Sequence, residues 1–307
     1  MSDEIKIIGI EPELVNDGIT IDKSYLSLRD KKIAISVSIN EDLEFLGFTE
    51  QHLNDISIEI ARYIIANGGT TIYGGDLRIN GFTNYFSEIA KQYKKSNDNT
   101  VSFINYFAPP NSKQISKEVE IDFKSKQIGI VKTSGGVEFN PDESYFPKEN
   151  IEHRYIYSEC FRNMREQMAQ DSDARIIVGG KEMDYLGFGP GIIEEAFYTI
   201  SYSKPLYIIG GFGGASSSLA RIFEGENPAE LTNEFQFSTP FLKDFQNFII
   251  RKNKFSNYQD IVGFFRNFSL EKLSSVNKLS IEENIILFNS KNIHEIAYLI
   301  MKGLKSI

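Results

Sequence analysis

Three apolar runs in this chain end abruptly at paired glycines: "TTIYGG" at Gly74-Gly75, "ARIIVGG" at Gly179-Gly180 and "KPLYIIGG" at Gly210-Gly211. Each is short, continuous and rich in β-branched residues, as a strand buried on both faces must be. "KKIAISVSI" (Lys31 to Ile39) and "TVSFINYF" are two further runs of this kind. Between them stand stretches with helical spacing. In "TEQHLNDISIEIARYIIANGG" the apolar positions Leu53, Ile56, Ile60 and Ile64 share one face, with Thr49 placed to start the helix and Gly68 to stop it. "GFTNYFSEIAKQYKK", "EHRYIYSECFRNMREQMAQDS", "PGIIEEAFYTIS" and "GASSSLARIF" read as helices in the same way. Strands alternating with helices predict an α/β fold: a Rossmann-like, doubly wound parallel sheet with right-handed crossovers.

Two regions depart from this rhythm. Residues 108–150 carry Pro109-Pro110, Gly135-Gly136, Pro141, Pro147 and strand-like pieces such as "KQIGIVK", and predict an inserted β-rich segment. From Asn227 onward, "TPFLKDFQNFIIRKN", "NYQDIVGFFRNF" and "NIHEIAYLIMKGL" predict a helical C-terminal extension packed on the sheet. The expected organisation is one nucleotide-binding domain over 1–226 and the extension over 227–307. Aromatics such as Phe264, Phe265 and Phe268 make that extension a candidate surface for a homo-oligomer.

Composition excludes several classes of function. The 307 residues carry a formal net charge of −9, so a broad electrostatic footprint for nucleic acid is not expected. No stretch approaches the roughly 18 apolar residues of a membrane span, and the start "MSDEIKIIGI" does not read as a signal peptide. Cys160 is the only cysteine; it reads as a core filler, and its isolation points to a cytoplasmic protein. His52, His153 and His294 lack metal-ligand spacing and read as surface or capping residues. No metal or cofactor is expected.

The glycine pairs point to a ligand. In open parallel sheets ligands bind beyond the carboxyl ends of the strands. Glycine there allows close backbone approach, and the next helix offers free N–H groups and a positive dipole end suited to phosphate. One such turn also reads as a tight strand-to-helix connection; three on one edge favour a phosphate-bearing ligand. Gly213 and Gly214 in "GFGGAS" extend the third turn, and Ser36 and Ser38 end the first strand at the same edge. Asp76, Arg78 and Lys181 follow the first two pairs, and Arg165 lies in the helix feeding the second strand. Glu194 and Glu195 are adjacent in the helix that starts at Pro190, where neighbours point about 100° apart, so one of them faces the ligand edge.

"YGGDLRINGFT", "NMREQM", "SDARIIVGG" and "GPGIIEEA" together resemble the SLOG superfamily, the Rossmann-like group of Smf/DprA and LOG proteins. LOG enzymes are phosphoribohydrolases with a "YGGG…GLM" turn, a methionine-x-x-arginine helix and a "PGGxGTxxE" turn whose glutamate is catalytic. Here Tyr73-Gly74-Gly75, Gly81-Phe82 and Thr83 stand at the first turn, Met164-Arg165 at the helix, and Gly179-Gly180 with Gly191 to Glu195 at the last. The last turn is split by Lys181 to Gly189, and Ile192 replaces the threonine. The resemblance covers Lys31 to Phe223 and is strongest to the prokaryotic branch associated with TIR-domain and nucleoside-phosphorylase-like proteins. It implies a sensor of an NAD-derived or ADP-ribose-type nucleotide, with such a protein as partner and a homo-oligomeric assembly. Arg165 and Lys181 would hold the pyrophosphate and Glu195 the ribose hydroxyls. The alternative is a nucleoside-monophosphate phosphoribohydrolase, with Glu195 and Arg165 catalytic.

Overall fold

The structure, a computed structural model, describes residues 13–15, 18–20 and 27–307, except 76, 79, 94–99, 114, 141, 255 and 256. A short antiparallel hairpin, β1 (Glu13–Val15) and β2 (Gly18–Thr20), precedes the main sheet. Strand β3 (Lys32–Ser38) follows, then α1 (Asp42–Phe45), α2 (Glu50–Ala66), β4 (Thr70–Gly74), α3 (Phe82–Tyr93) and β5 (Phe103–Phe107). Helix α2 begins after Thr49, whose amide donates to His52 Nδ1 at 3.0 Å. It ends at Ala66, and Gly68, just past the Asn67 cap, takes the left-handed conformation (φ +83°) that stops a helix.

The 108–150 segment contributes more to the sheet than the sequence suggested. It forms α4 (Pro109–Ser112), α5 (Lys117–Ser125) and one strand, β6 (Ile128–Lys132), which pairs in parallel with β5 as an edge of the main sheet. Pro109-Pro110 therefore opens a further strand–helix–strand crossover instead of a separate lobe.

Helix α6 (Ile151–Asp171), β7 (Ala174–Gly179), α7 (Gly191–Ser201), β8 (Leu206–Ile209) and α8 (Gly214–Phe223) complete the Rossmann-like unit. The six strands are all parallel in the order β6-β5-β4-β3-β7-β8. The chain runs outward from β3 on one side, then returns to lay β7 on the other. This places the topological switch at the carboxyl end of β3, where open α/β sheets hold their ligands.

Strand periodicity sorts the core. Ile33, Ile35 and Val37 pack with α2 and α3, while Ala34 faces the opposite layer with Met164 and Met168 of α6. Cys160 lies in this second layer, and burial pushes its thiol up to about 12, which suits a core filler. The extension follows as α9 (Asn233–Gln236), α10 (Pro240–Arg251), α11 (Tyr258–Phe268), α12 (Leu270–Asn277), α13 (Ile281–Asn289) and α14 (Ile293–Leu304). It packs on both faces of the sheet: Ile296, Leu299 and Ile300 join the α2 side, and Val262, Phe265 and Leu273 join the α7–α8 side. Phe265 and Phe268 are buried, and Phe264 packs on the ring of Phe197 at 4.5 Å. Phe265 and Phe268 are core, and Phe264 is partly buried against them. Among the described residues no helix is long and apolar enough to cross a membrane.

Candidate functional site

A cleft of about 270 Å³ opens at the switch point, over the carboxyl ends of β3 and β4 and under the 181–189 loop. Ser36, Ser38, Gly74, Gly75, Arg78, Arg165, Lys181 and Glu195 line it. The two glycines earn no side chain for packing reasons as well: a Cβ on Gly74 would stand 2.7 Å from Met168 Sδ, and one on Gly75 would meet the Tyr73 ring and Thr83 Oγ1. Thr83 is buried behind the turn, where its hydroxyl accepts from Asn105 Nδ2 at 3.1 Å.

The centre of the site is a chain of buried charges. Glu195 points into the cleft, and its Oε2 receives Arg175 Nη1 at 3.0 Å. Its Oε1 lies 3.7 Å from Arg165 Nε, an ion pair too long for a hydrogen bond. Arg165 also grips Glu194 through Nη1. Neighbouring carboxylates on α7 thus diverge as helix geometry requires: Glu195 faces the cleft, and Glu194 lines a separate apolar cavity behind the helix. Burial pushes the Glu194 carboxyl up, and Arg165 draws it back.

Arg175 is the residue that the sequence reading missed. It sits in β7, a strand buried at every position, and its side chain is fully enclosed. Besides Glu195 it donates to Ser36 Oγ at 2.7 Å and to Thr199 Oγ1 at 2.8 Å. Burial lowers its pKa, and Glu195 opposes that shift. An arginine in the middle of an otherwise apolar parallel strand was the available signal, because such a charge is costly without a dedicated partner. Asn111, Phe161 and Tyr185 also line the cleft and carried no such signal.

The glycines of the split turn have a local role here. A Cβ on Gly191 would lie 2.7 Å from Arg165 Nη2, and one on Gly187 would lie 2.8 Å from Nη1. The loop therefore closes on the guanidinium only because both positions lack side chains. Pro190 precedes the helix by one position, and Gly191 opens it.

The glycines of the second and third turns lie off the cleft. Gly179 and Gly180 have φ of +66° and +102°, and fold β7's end against Ser38 and α8: Gly180 N donates to Ser38 O at 2.8 Å, and Gly180 O accepts from Ala215 N at 2.9 Å. Lys181 follows with its side chain exposed and its amide 3.3 Å from Ser38 Oγ. The third turn is closed by protein. Gly210 and Gly211 abut the carbonyls of Phe288 and Ser290, Gly213 abuts Asp42, and Gly214 N donates to Asp42 Oδ2 at 2.7 Å. Asp76 lies outside the described residues. His52 and His153 each accept a backbone amide at 3.0 Å, and His294 stands in the first turn of α14.

A model of the family described as SLOG cluster2 matches residues 27–287. The chain belongs to that family. No curated protein matches it. The match includes the 108–150 segment and runs past Phe223 through most of the extension, so the SLOG unit here is larger than the motif-bearing part. Its membership is consistent with a nucleotide-related function.

Proposed function

We propose that this SLOG protein is a binding module for an NAD-derived, ADP-ribose-type nucleotide, made by a partner enzyme of the TIR-domain or nucleoside-phosphorylase-like kind. The observation that carries the reading is Glu195, fixed from behind by Arg175 and faced by Arg165 at the sheet's switch point. Both carboxylate oxygens face guanidinium groups, which makes Glu195 a rigid acceptor for ribose hydroxyls. Arg78 and Lys181 supply exposed positive charge at the rim for the pyrophosphate, where charge-assisted hydrogen bonds are strong. Ser36 and Ser38 add hydroxyls on the same side. Oε1 keeps acceptor capacity for a ribose hydroxyl, because Arg165 Nε at 3.7 Å is beyond hydrogen-bond reach. The turn that carries the catalytic glutamate in LOG enzymes is split here by residues 181–189; binding tolerates that looser positioning better than catalysis does, which favours binding over hydrolysis.

The hydrolase reading keeps one supporting observation. A carboxylate locked by two arginines is also preorganised to stabilise an oxocarbenium-like centre, with Arg165 beside it for a 5′-phosphate. Incubation with AMP, NAD and cyclic ADP-ribose separates the two. The module leaves each nucleotide intact, whereas release of free base or ribose phosphate establishes the hydrolase.

Calorimetry with ADP-ribose tests the site itself. Lys181→Ala weakens binding by about 1.5–3 kcal/mol and leaves the unliganded stability near that of the parent, because Lys181 is exposed. Glu195→Gln weakens binding by a similar amount. It also destabilises the unliganded chain, since Arg175 loses its charge partner inside the core. Unaltered affinity in both variants would remove the nucleotide from this cleft.

A further inference from the structure

A second cavity of about 250 Å³ lies on the far side of the 181–189 loop, lined by Lys148, Arg154, Asp184, Tyr185, Gln236 and Thr239 among others. Its buried cation is anomalous. Arg162, Arg165 and Arg175 each hold a carboxylate: Glu159, Glu194 and Glu195. Arg154 is only 5% exposed and forms no ion pair among the described residues. Its guanidinium lies between the rings of Tyr185, at 5.6 Å, and Phe245, at 5.4 Å. Its Nη2 reaches the Gly187 carbonyl at 3.5 Å, the outer limit for a hydrogen bond, and its Nε is buried with no acceptor.

Ring faces attract a cation, but they do not replace the counter-charge that a buried guanidinium lacks. The surroundings are arranged for an anion. Helix α10 starts at the cavity edge, with Thr239 capping the Leu242 amide at 3.2 Å, so the positive end of a 12-residue helix faces the same space. Lys148 stands exposed at the rim. Asp184 is the one acid of the lining; it is exposed, and its charge acts on Arg154 only from beyond salt-bridge distance.

We infer that this cavity is a second ligand site, for a phosphate group, with Arg154 as its buried anchor. The site is independent of the cleft, and the two share the loop between them: Tyr185 lines both. A phosphate against Arg154 would brace the loop that carries Lys181 from behind.

Thermal shift and calorimetry on the full chain test the inference, with inorganic phosphate, ribose 5-phosphate and acetate as probes. Phosphate binds the parent saturably, and Lys181→Ala retains that binding. Arg154→Met, similar in reach but neutral, loses about tenfold or more in phosphate affinity. Its unliganded melting temperature stays at or above the parent's, because a buried unpaired charge is gone. Lys148→Ala, at an exposed position, folds and loses affinity severalfold. Tighter binding of ribose 5-phosphate identifies a phosphorylated sugar as the source; equal binding identifies free phosphate. The inference is overturned by an absence of saturable phosphate binding, by unchanged affinity in Arg154→Met, by loss in Lys181→Ala alone, or by acetate binding as tightly as phosphate.

Discussion

The first and third Gly-Gly turns look alike in sequence and end up as opposites. Each follows an apolar strand, and each faces a helix across a sheet edge. Beyond Gly74-Gly75 the edge stays open and forms the wall of the cleft. Beyond Gly210-Gly211 the edge is filled: the end of α13 lies against both glycines, and Asp42 of α1 occupies the N-terminus of α8. A carboxylate there satisfies the amide and the helix dipole much as a phosphate would. Glycine at a strand end therefore permits close approach, and what approaches is set by the rest of the chain. At one edge it is open space for a ligand, and at the other it is the protein's own backbone.

That contrast can be broken from either side. The largest effect is expected at the open edge, from Arg175→Leu. Removing one member of a buried ion pair costs about 3–5 kcal/mol, and the variant loses nucleotide binding because Glu195 loses its support. Urea denaturation with parallel calorimetry reads both effects; a variant that keeps parental stability would show that the pair is not structural.

At the closed edge, Gly211→Ala places a Cβ 2.2 Å from the Ser290 carbonyl. Backbone has to move, and the expected cost is about 3 kcal/mol. Nucleotide affinity, measured on the folded fraction, should equal the parent's. Weakened affinity there would mean that the third turn belongs to the site after all.

A smaller, pH-dependent effect belongs to the same closed side. Glu182 Oε1 accepts from the hydroxyl of Ser218 in α8, and burial pushes its carboxyl up to about 7. A carboxyl raised in the folded state binds its proton more tightly there than in the unfolded chain. Its contribution is thus fully present below about 4.5 and is lost as pH rises through about 7. The fall should be roughly 2 kcal/mol after allowing for partial exposure, and Glu182→Gln should flatten that window in stability-versus-pH curves. A variant whose curve keeps the parental slope would assign the titration elsewhere.

The smallest effect is Asp42→Ala, which removes a carboxylate cap from α8 and should cost about 1 kcal/mol in chemical denaturation, with no change in nucleotide affinity. Tighter binding of phosphate compounds in this variant would show that Asp42 guards a latent anion site.

Much of the candidate site was legible because its signals are local. Gly74-Gly75, Arg165, Lys181 and Glu195 stand next to strand ends or on one helix face, and periodicity alone brings them to one edge. The division of labour between Glu194 and Glu195 followed from helix geometry in the same way. Arg175 was not legible, because an arginine within "ARIIVGG" is explained only by Ser36, Thr199 and Glu195, up to 139 residues away in the chain. The edge role of β6 was hidden because prolines and glycines around it mask a single five-residue strand.

Sequence by itself determined the order of strands and helices, the parallel sheet and the placement of glycines at its carboxyl edge. Those follow from burial on two faces and from backbone freedom, which act over a few residues. Only the tertiary structure decided which edge stays open, which carboxylate meets which arginine, and that Arg154 is buried without one among the described residues. Those are outcomes of long-range packing, where a buried charge or a strand end is completed by whatever distant segment the fold brings against it.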